Sequence, residues 1–307
     1  MKIAVLGTGG VGGYFGARLA AAGEDVHFVA RGAHLDAMVN AGLLVNSALG
    51  DVHLRPVQAT DDPAAIGPVD LIVVAVKLYD TEAVLPTCRA LLGPDTSIVS
   101  FQNGVGAARD LAAVGGAERV YGGVTYILST IGTPGVIDHV GTIARLIIGE
   151  LDGQPSARTD AFRAACEGAG IDIVVTSSIN GEIWSKFTFL AALSGVTTLL
   201  RMPVGRIRAD DDTRAFFRAA VDEAVAVARA CCIALPGDAV DRHMATFDGL
   251  DPEFTSSMLY DLDHGNRLEL AWLSGTIIDH GRREGVPTPV HKAIYAALKL
   301  HADGATR

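Results

Sequence analysis

The chain has 307 residues, of which 49% are hydrophobic and 20% charged, and its formal net charge is −10. That length exceeds what one hydrophobic core usually serves, so one large or two modest globular domains are expected. The acidic balance, with a pI of about 5.3, argues against nucleic acid or an anionic membrane as a general partner, yet leaves room for a local basic pocket.

The first stretch, Lys2–Gly16, reads KIAVLGTGGVGGYFG. Ile3–Leu6 predicts a strand, the glycines after it a tight turn, and Tyr14–Ala22 a helix. In that context the G-x-G-x-x-G spacing signals dinucleotide binding. Gly7 allows the turn, Gly9 lets the backbone approach a pyrophosphate, and Gly12 lets helix and strand pack closely. Free N–H groups at the helix start face an anion. The candidate cofactor glycines are therefore Gly7, Gly9, Gly10 and Gly12. Their density also breaks the apolar core that a secretory signal would need.

Asp25–Ala30 predicts a second strand, ending at Ala30-Arg31-Gly32. NAD enzymes place an acid at this end to hold the ribose hydroxyls. Here Glu24 and Asp25 precede the strand and Arg31 follows it. A guanidinium suits a 2′-phosphate, so NADP(H) is the expected cofactor. A short helix over His34–Ala41 and a hairpin within Leu43–Ala59 follow. Asp70–Val76 is a nearly continuous apolar run, as in a strand buried on both faces of a parallel sheet. It ends at Lys77. Thr81–Leu92 predicts a helix. Ser97–Phe101 predicts a strand running into Gln102-Asn103-Gly104-Val105-Gly106. Asn103 could position a nicotinamide or a catalytic lysine, or serve an ordinary Asn-Gly turn. Further β structure is expected over Arg119–Ile127 and Ile137–Gly149, a helix over Arg158–Ala169, and a last strand over Asp172–Thr176.

From about Ile179 helical periods take over: Ile179–Leu200, Asp211–Cys232, Pro236–Phe247, Glu253–Asp263, Leu268–Glu284 and Pro289–His301. The stretch Arg206–Arg214 joins the first two. The expected fold is α/β, with a Rossmann-type dinucleotide-binding domain over 1–176 and an all-helical domain over 177–307. Substrate is expected in the cleft between them. No segment reads as a membrane span, since the apolar Phe187–Leu200 is bounded by Lys186 and Arg201. Cys88, Cys166, Cys231 and Cys232 lack metal-like spacing and read as reduced thiols of a cytoplasmic protein. The nine histidines offer no metal or Ser-His-Asp spacing, so no metal is expected.

Two charges stand out in the second half. Lys186 enters a helix that is apolar nearly all round, which is costly unless the ammonium has a partner or a task. A partly desolvated ammonium can donate a proton to a developing alkoxide; a lysine reaching to solvent is the alternative. Glu269, within Asn266–Trp272, could pair with Lys186 or anchor a substrate hydroxyl, or could be a charge on an exposed helix face. Ser256 and Ser257 could bind a carboxylate or merely cap a helix.

Taken together, these pieces resemble the ketopantoate reductase (2-dehydropantoate 2-reductase) family over nearly the whole chain. The matching motifs are GTGGVG at 7–12, Ala30-Arg31, Val76-Lys77, Gln102–Gly106, Glu182-x-Trp184-x-Lys186, Ser256-Ser257-Met258-Leu259-x-Asp261, and Glu269. The resemblance implies that Lys186 is the general acid and that Glu269 helps hold the substrate hydroxyl and the lysine. It implies that Asn103 contacts the cofactor and orders the lysine, that Ser257 binds the substrate carboxylate, and that Lys77 lies near the cofactor. Family members commonly carry asparagines four and eight residues after the lysine, where this chain has Leu190 and Ser194. Both fall on the Lys186 side of the helix. A third family asparagine is replaced by Phe254. The implied activity is NADPH-dependent reduction of a 2-oxo acid, a small molecule, by a protein that could be a homodimer. The substrate is expected to be bulkier or less polar than ketopantoate. A dehydrogenase of another hydroxy or amino acid, and a non-catalytic NADPH-binding protein, remain the alternatives.

Overall fold

Apolar runs closed by glycine turns become the strands of one large sheet. In the computed structural model, which describes residues 1–305, β1 (Lys2–Leu6) leads into α1 (Gly10–Ala21), β2 (Asp25–Val29) and α2 (Gly32–Ala41). β3 (Leu43–Asn46) and β4 (Val52–Leu54) form an antiparallel hairpin, and the short β5 (Ala59–Thr60) pairs with β2. β6 (Leu71–Val74), α3 (Thr81–Ala90), β7 (Ser97–Ser100) and α4 (Ala107–Gly115) continue the alternation. The long strands β8 (Val120–Thr133) and β9 (Val136–Gly149) pair antiparallel. α5 (Ala157–Gly168) then returns to β10 (Asp172–Val175), parallel to β9.

The sheet runs in the order β4-β3-β9-β8-β7-β6-β1-β2-β5, with β10 beside β9. Its centre, β7-β6-β1-β2, is parallel. Ile3 and Val5 pack into the core on one face of β1, and Ala4 and Leu6 into the core on the other. That two-sided burial explains the unbroken apolar runs of these strands. From β1 the chain moves to β2 on one side, and later to β6 on the other. The strand order therefore reverses at β1, and ligands of open α/β sheets bind outside the carboxyl ends of strands at such a reversal.

The described chain divides into two compact units, Met1–Glu182 and the described residues from Ile183 onward, so the division falls inside α6 (Ile179–Leu200). The second unit is helical: α7 (Val204–Ala209), α8 (Asp211–Ala230), α9 (Ala239–Gly249), α10 (Ser257–Asp263), α11 (Ser274–Glu284) and α12 (Pro289–Leu298). α8 is its hub, packing against α7, α9, α11 and α12. The architecture is a Rossmann-type sheet domain followed by a helical domain.

Several boundaries depart from the sequence reading. α4 was not expected, although its Ala-rich stretch buries Leu111. α7 occupies part of the stretch read as a connection. α10 starts at Ser257 rather than Glu253, because Pro252 and Phe254 turn their carbonyls to the N–H groups of Gly205 and Val204. The helix expected from Leu268 starts at Ser274. Leu273 leaves helical geometry (φ −98°, ψ −93°), and Trp272 and Leu273 both donate to the Glu269 carbonyl. Finally, α6 has 22 residues and is long and apolar enough to cross a membrane by length and composition. The expectation that no segment qualifies missed this, because Lys186 lies within the helix instead of bounding it. Most of its apolar window is buried inside the chain, as in the core helix of a folded domain.

Candidate active site

The glycine turn is built by contacts that other residues could not make. Gly7 has φ +96°, and a Cβ there would lie 2.6 Å from the Val76 backbone nitrogen. A Cβ on Gly12 would run into the Gly7 carbonyl, and one on Gly10 into the Ser129 carbonyl. Gly9 differs: nothing lies within 4 Å of where its Cβ would be. Gly9 is also the N-cap of α1, whose first turn has no side-chain cap and no acidic residue. The helix end therefore offers free N–H donors and a positive dipole end beside open space, which suits the pyrophosphate of a dinucleotide.

The neighbouring strands bring the other amino-terminal candidates to the same edge of the sheet. Arg31 follows β2 and begins α2 as its N-cap. Lys77 follows β6 and starts the single turn Leu78–Asp80. Asn103 follows β7 in a half-buried loop. Because β7, β6, β1 and β2 are adjacent and parallel, Asn103, Lys77, the glycine turn and Arg31 stand in that order along their carboxyl ends. Glu24 and Asp25 lie at the amino end of β2, away from this edge.

Two residues here were missed at the level of sequence. Asp80 pairs with Arg31 at 3.4 Å, with the arginine side chain 75% exposed. Gln102 donates to the Val76 carbonyl (3.0 Å) and to Thr81 Oγ1 (2.8 Å). It thereby staples the end of β7 to the segment carrying Lys77. Gln102 stood in the strand-end motif, which is a signal of sorts; Asp80 is 49 positions from Arg31 and gave none.

In the helical unit, Lys186 is half-buried on α6. Loss of water around its ammonium pushes its pKa down to about 8, while the Glu269 carboxylate pulls the other way. Glu269 itself is 5% exposed, in the turn ahead of α11. The structure therefore brings these two charges into each other's field within one unit, with an ammonium that can lose its proton near neutral pH. Asp261, also buried, accepts from Asn266 Nδ2 at 3.3 Å in the loop that leads to Glu269.

The two serines separate. Ser256 is buried and committed, accepting from the Leu259 N–H (3.1 Å) and from Thr197 Oγ1 (2.7 Å). Ser257, the first residue of α10, is exposed. Leu190 is half-buried one turn beyond Lys186, and Ser194 is buried two turns beyond, its hydroxyl without a hydrogen-bond partner among the described residues. Phe254 is half-buried, and its carbonyl ties it to Val204. Among the described residues no group of three or more His, Cys, Asp or Glu could hold a metal ion.

A glycine-rich turn at a strand-order reversal, followed by a helical unit in which a buried glutamate acts on a half-buried lysine, is the arrangement of a two-domain dehydrogenase. The family model described as "Ketopantoate reductase PanE/ApbA" matches residues 3–153, and its C-terminal counterpart matches residues 178–302. The chain belongs to the ketopantoate reductase family. It is 32% identical over 320 residues to a 2-dehydropantoate 2-reductase of Mesorhizobium japonicum, covering 97% of each chain. It is 30% identical to the uncharacterized oxidoreductase YkpB of Bacillus subtilis, covering 98% of this chain and 99% of that one. A crystal structure of 2-dehydropantoate 2-reductase from Geobacter metallireducens superposes with a TM-score of 0.92 at 33% identity, covering 98% and 99% of the two chains.

Proposed function

We propose that this protein is an NADPH-dependent reductase of a 2-oxo acid, yielding the 2-hydroxy acid, with ketopantoate to pantoate as the reference reaction. The observation that carries this reading is Lys186, with a pKa near 8 and Glu269 acting on it. When bound, the dinucleotide supplies the hydride. The open space over Gly9 and the uncapped start of α1 fit its pyrophosphate, and Arg31 fits a 2′-phosphate. Lys77 and Asn103 would hold its nicotinamide side.

Lys186 would donate a proton from Nζ to the substrate keto oxygen as negative charge develops there, and its ammonium would stabilise that charge beforehand. Glu269 would hold the reacting end of the substrate and keep the lysine charged. Ser257, the exposed start of α10, would take the substrate carboxylate. Leu190 and Phe254 would present apolar surface to the substrate, with Ser194 as a small hydroxyl beyond. This favours a 2-oxo acid bulkier or less polar than ketopantoate, and makes a related hydroxy-acid dehydrogenase the second reading. The free cysteines support a reducing, cytoplasmic setting.

The test is a screen of ketopantoate and bulkier 2-oxo acids with the purified protein, following NADPH and NADH absorbance and identifying the product. Turnover with NADPH and a 2-hydroxy acid product is expected. NADPH binding without turnover on any 2-oxo acid would sink the reading.

A further inference from the structure

Glu269 stands in a turn, and a turn holds a carboxylate in place only if its exit is fixed. The exit is Ser274, the first residue of α11, five positions on. Ser274 is fully buried, and so is His291 on α12. His291 Nε2 lies 3.0 Å from the Ala220 carbonyl on α8, which can only accept. The proton therefore sits on Nε2. Nδ1 is then the acceptor, and Ser274 Oγ donates to it at 3.2 Å. The start of α12 is itself clamped: Glu223 on α8 accepts the N–H groups of Val290 (2.7 Å) and His291 (3.0 Å).

Ser274 also meets the helix that carries Lys186. A Cβ on Gly195 of α6 would lie 3.3 Å from Ser274 Oγ and 3.1 Å from Ile294. The glycine thus lets Ser274 seat against α6, nine residues beyond Lys186. Ser274, at the exit of the turn bearing Glu269, thus packs against the helix bearing Lys186 and is tied to α8 through His291.

We propose that Ser274 and His291, clamped by Glu223, are positioning residues that set the placement of Glu269 relative to Lys186. This rests on the reductase reading for its importance to catalysis, though not for its geometry. Glu269 is the charged group acting on Lys186. Around His291 the charged neighbours are Glu223 and, acting on Glu223, Lys292. Burial holds His291 down at about 4, so it stays neutral and keeps its tautomer through the working pH range.

The experiment uses full-length protein labelled with [6-13C]lysine. The chain has five lysines, and the Lys186 signal is assigned by its loss in Lys186→Met. Its titration is compared in the unaltered protein, Ser274→Ala, His291→Leu and His291→Gln, with folding checked by circular dichroism and thermal melting. Glu269 raises the Lys186 pKa, so loosening Glu269 must lower it. Ser274→Ala and His291→Leu should move the midpoint down by about half a pH unit, and lower kcat on the order of tenfold with KM for NADPH unchanged. His291→Gln, whose amide has a donor and an acceptor, should restore most of both. A Lys186 midpoint equal to that of the unaltered protein in Ser274→Ala, whatever happens to the melting temperature, overturns the proposal. Because the lysine titration needs no turnover, absence of reductase activity in the unaltered protein would remove the reductase reading alone.

Discussion

Glu269 keeps charge on Lys186 against the burial that lowers its pKa to about 8. An acid with that value is mostly protonated at pH 7 yet loses its proton readily. With Lys186 as the proposed proton donor the sign is definite: kcat/KM for the proposed 2-oxo acid reduction should be flat below the lysine's pKa and fall as pH rises through it. Glu269→Gln removes the contribution that raises the pKa. The descending limb should then move to lower pH by about one unit, with the rate at neutral pH down on the order of a hundredfold. A pH–rate profile checks this. A limb that stays put or moves up would separate the two residues.

The Arg31–Asp80 pair bears directly on the proposed preference for NADPH. Arg31 is largely exposed, at 75%, so the pair holds it by at most about 1 kcal/mol. In the proposed complex a 2′-phosphate would recruit the guanidinium at little cost, but would also face the carboxylate of Asp80 that Arg31 holds. Arg31→Ala should weaken NADPH binding about tenfold with NADH little changed, and Asp80→Asn should tighten NADPH. Fluorescence titration with both cofactors reads this directly. Equal losses for NADPH and NADH in Arg31→Ala would remove the phosphate role.

Glycines in one turn should divide into two behaviours. Gly7→Ala places a Cβ at φ +96°, 2.6 Å from Val76 N, and should destabilise the protein by about 2–4 kcal/mol in urea unfolding. Gly9→Ala meets nothing within 4 Å. It should leave the unfolding midpoint unchanged and weaken NADPH binding. Intact binding in Gly9→Ala would mean that no ligand approaches that face of the turn.

How much of this was legible in the sequence depends on whether the signal was local. The strand, turn and helix around Gly7–Gly12 were readable because each glycine answers a constraint set within a few residues. Lys186 was readable because a charge within an apolar helix is costly wherever that helix packs. Local spacing did not tell Ser256 from Ser257, and only the family resemblance pointed to Ser257; the capping that commits the first depends on where α10 starts. Glu269 was expected on a helix, because its apolar neighbours have helical spacing; the turn arises from backbone bonds to its own carbonyl. Asp80 beside Arg31, and Ser274 beside His291, are products of topology and had no sequence signature.

Substrate choice should respond to the positions after Lys186. Leu190→Asn and Ser194→Asn together should raise kcat/KM for ketopantoate relative to a bulkier 2-oxo acid by about tenfold, the scale of a buried hydrogen bond gained on one substrate and not the other. Steady-state rates on both substrates measure it. An unchanged ratio would place discrimination elsewhere in the chain.

The most direct test of the central claim is the rate of NADPH oxidation by Lys186→Ala with the best 2-oxo acid found for the unaltered protein. The expected result is a kcat lower by about 10²–10⁴-fold, with NADPH binding retained. An alanine variant that turns over at the unaltered rate would contradict the assignment of Lys186 as the proton donor.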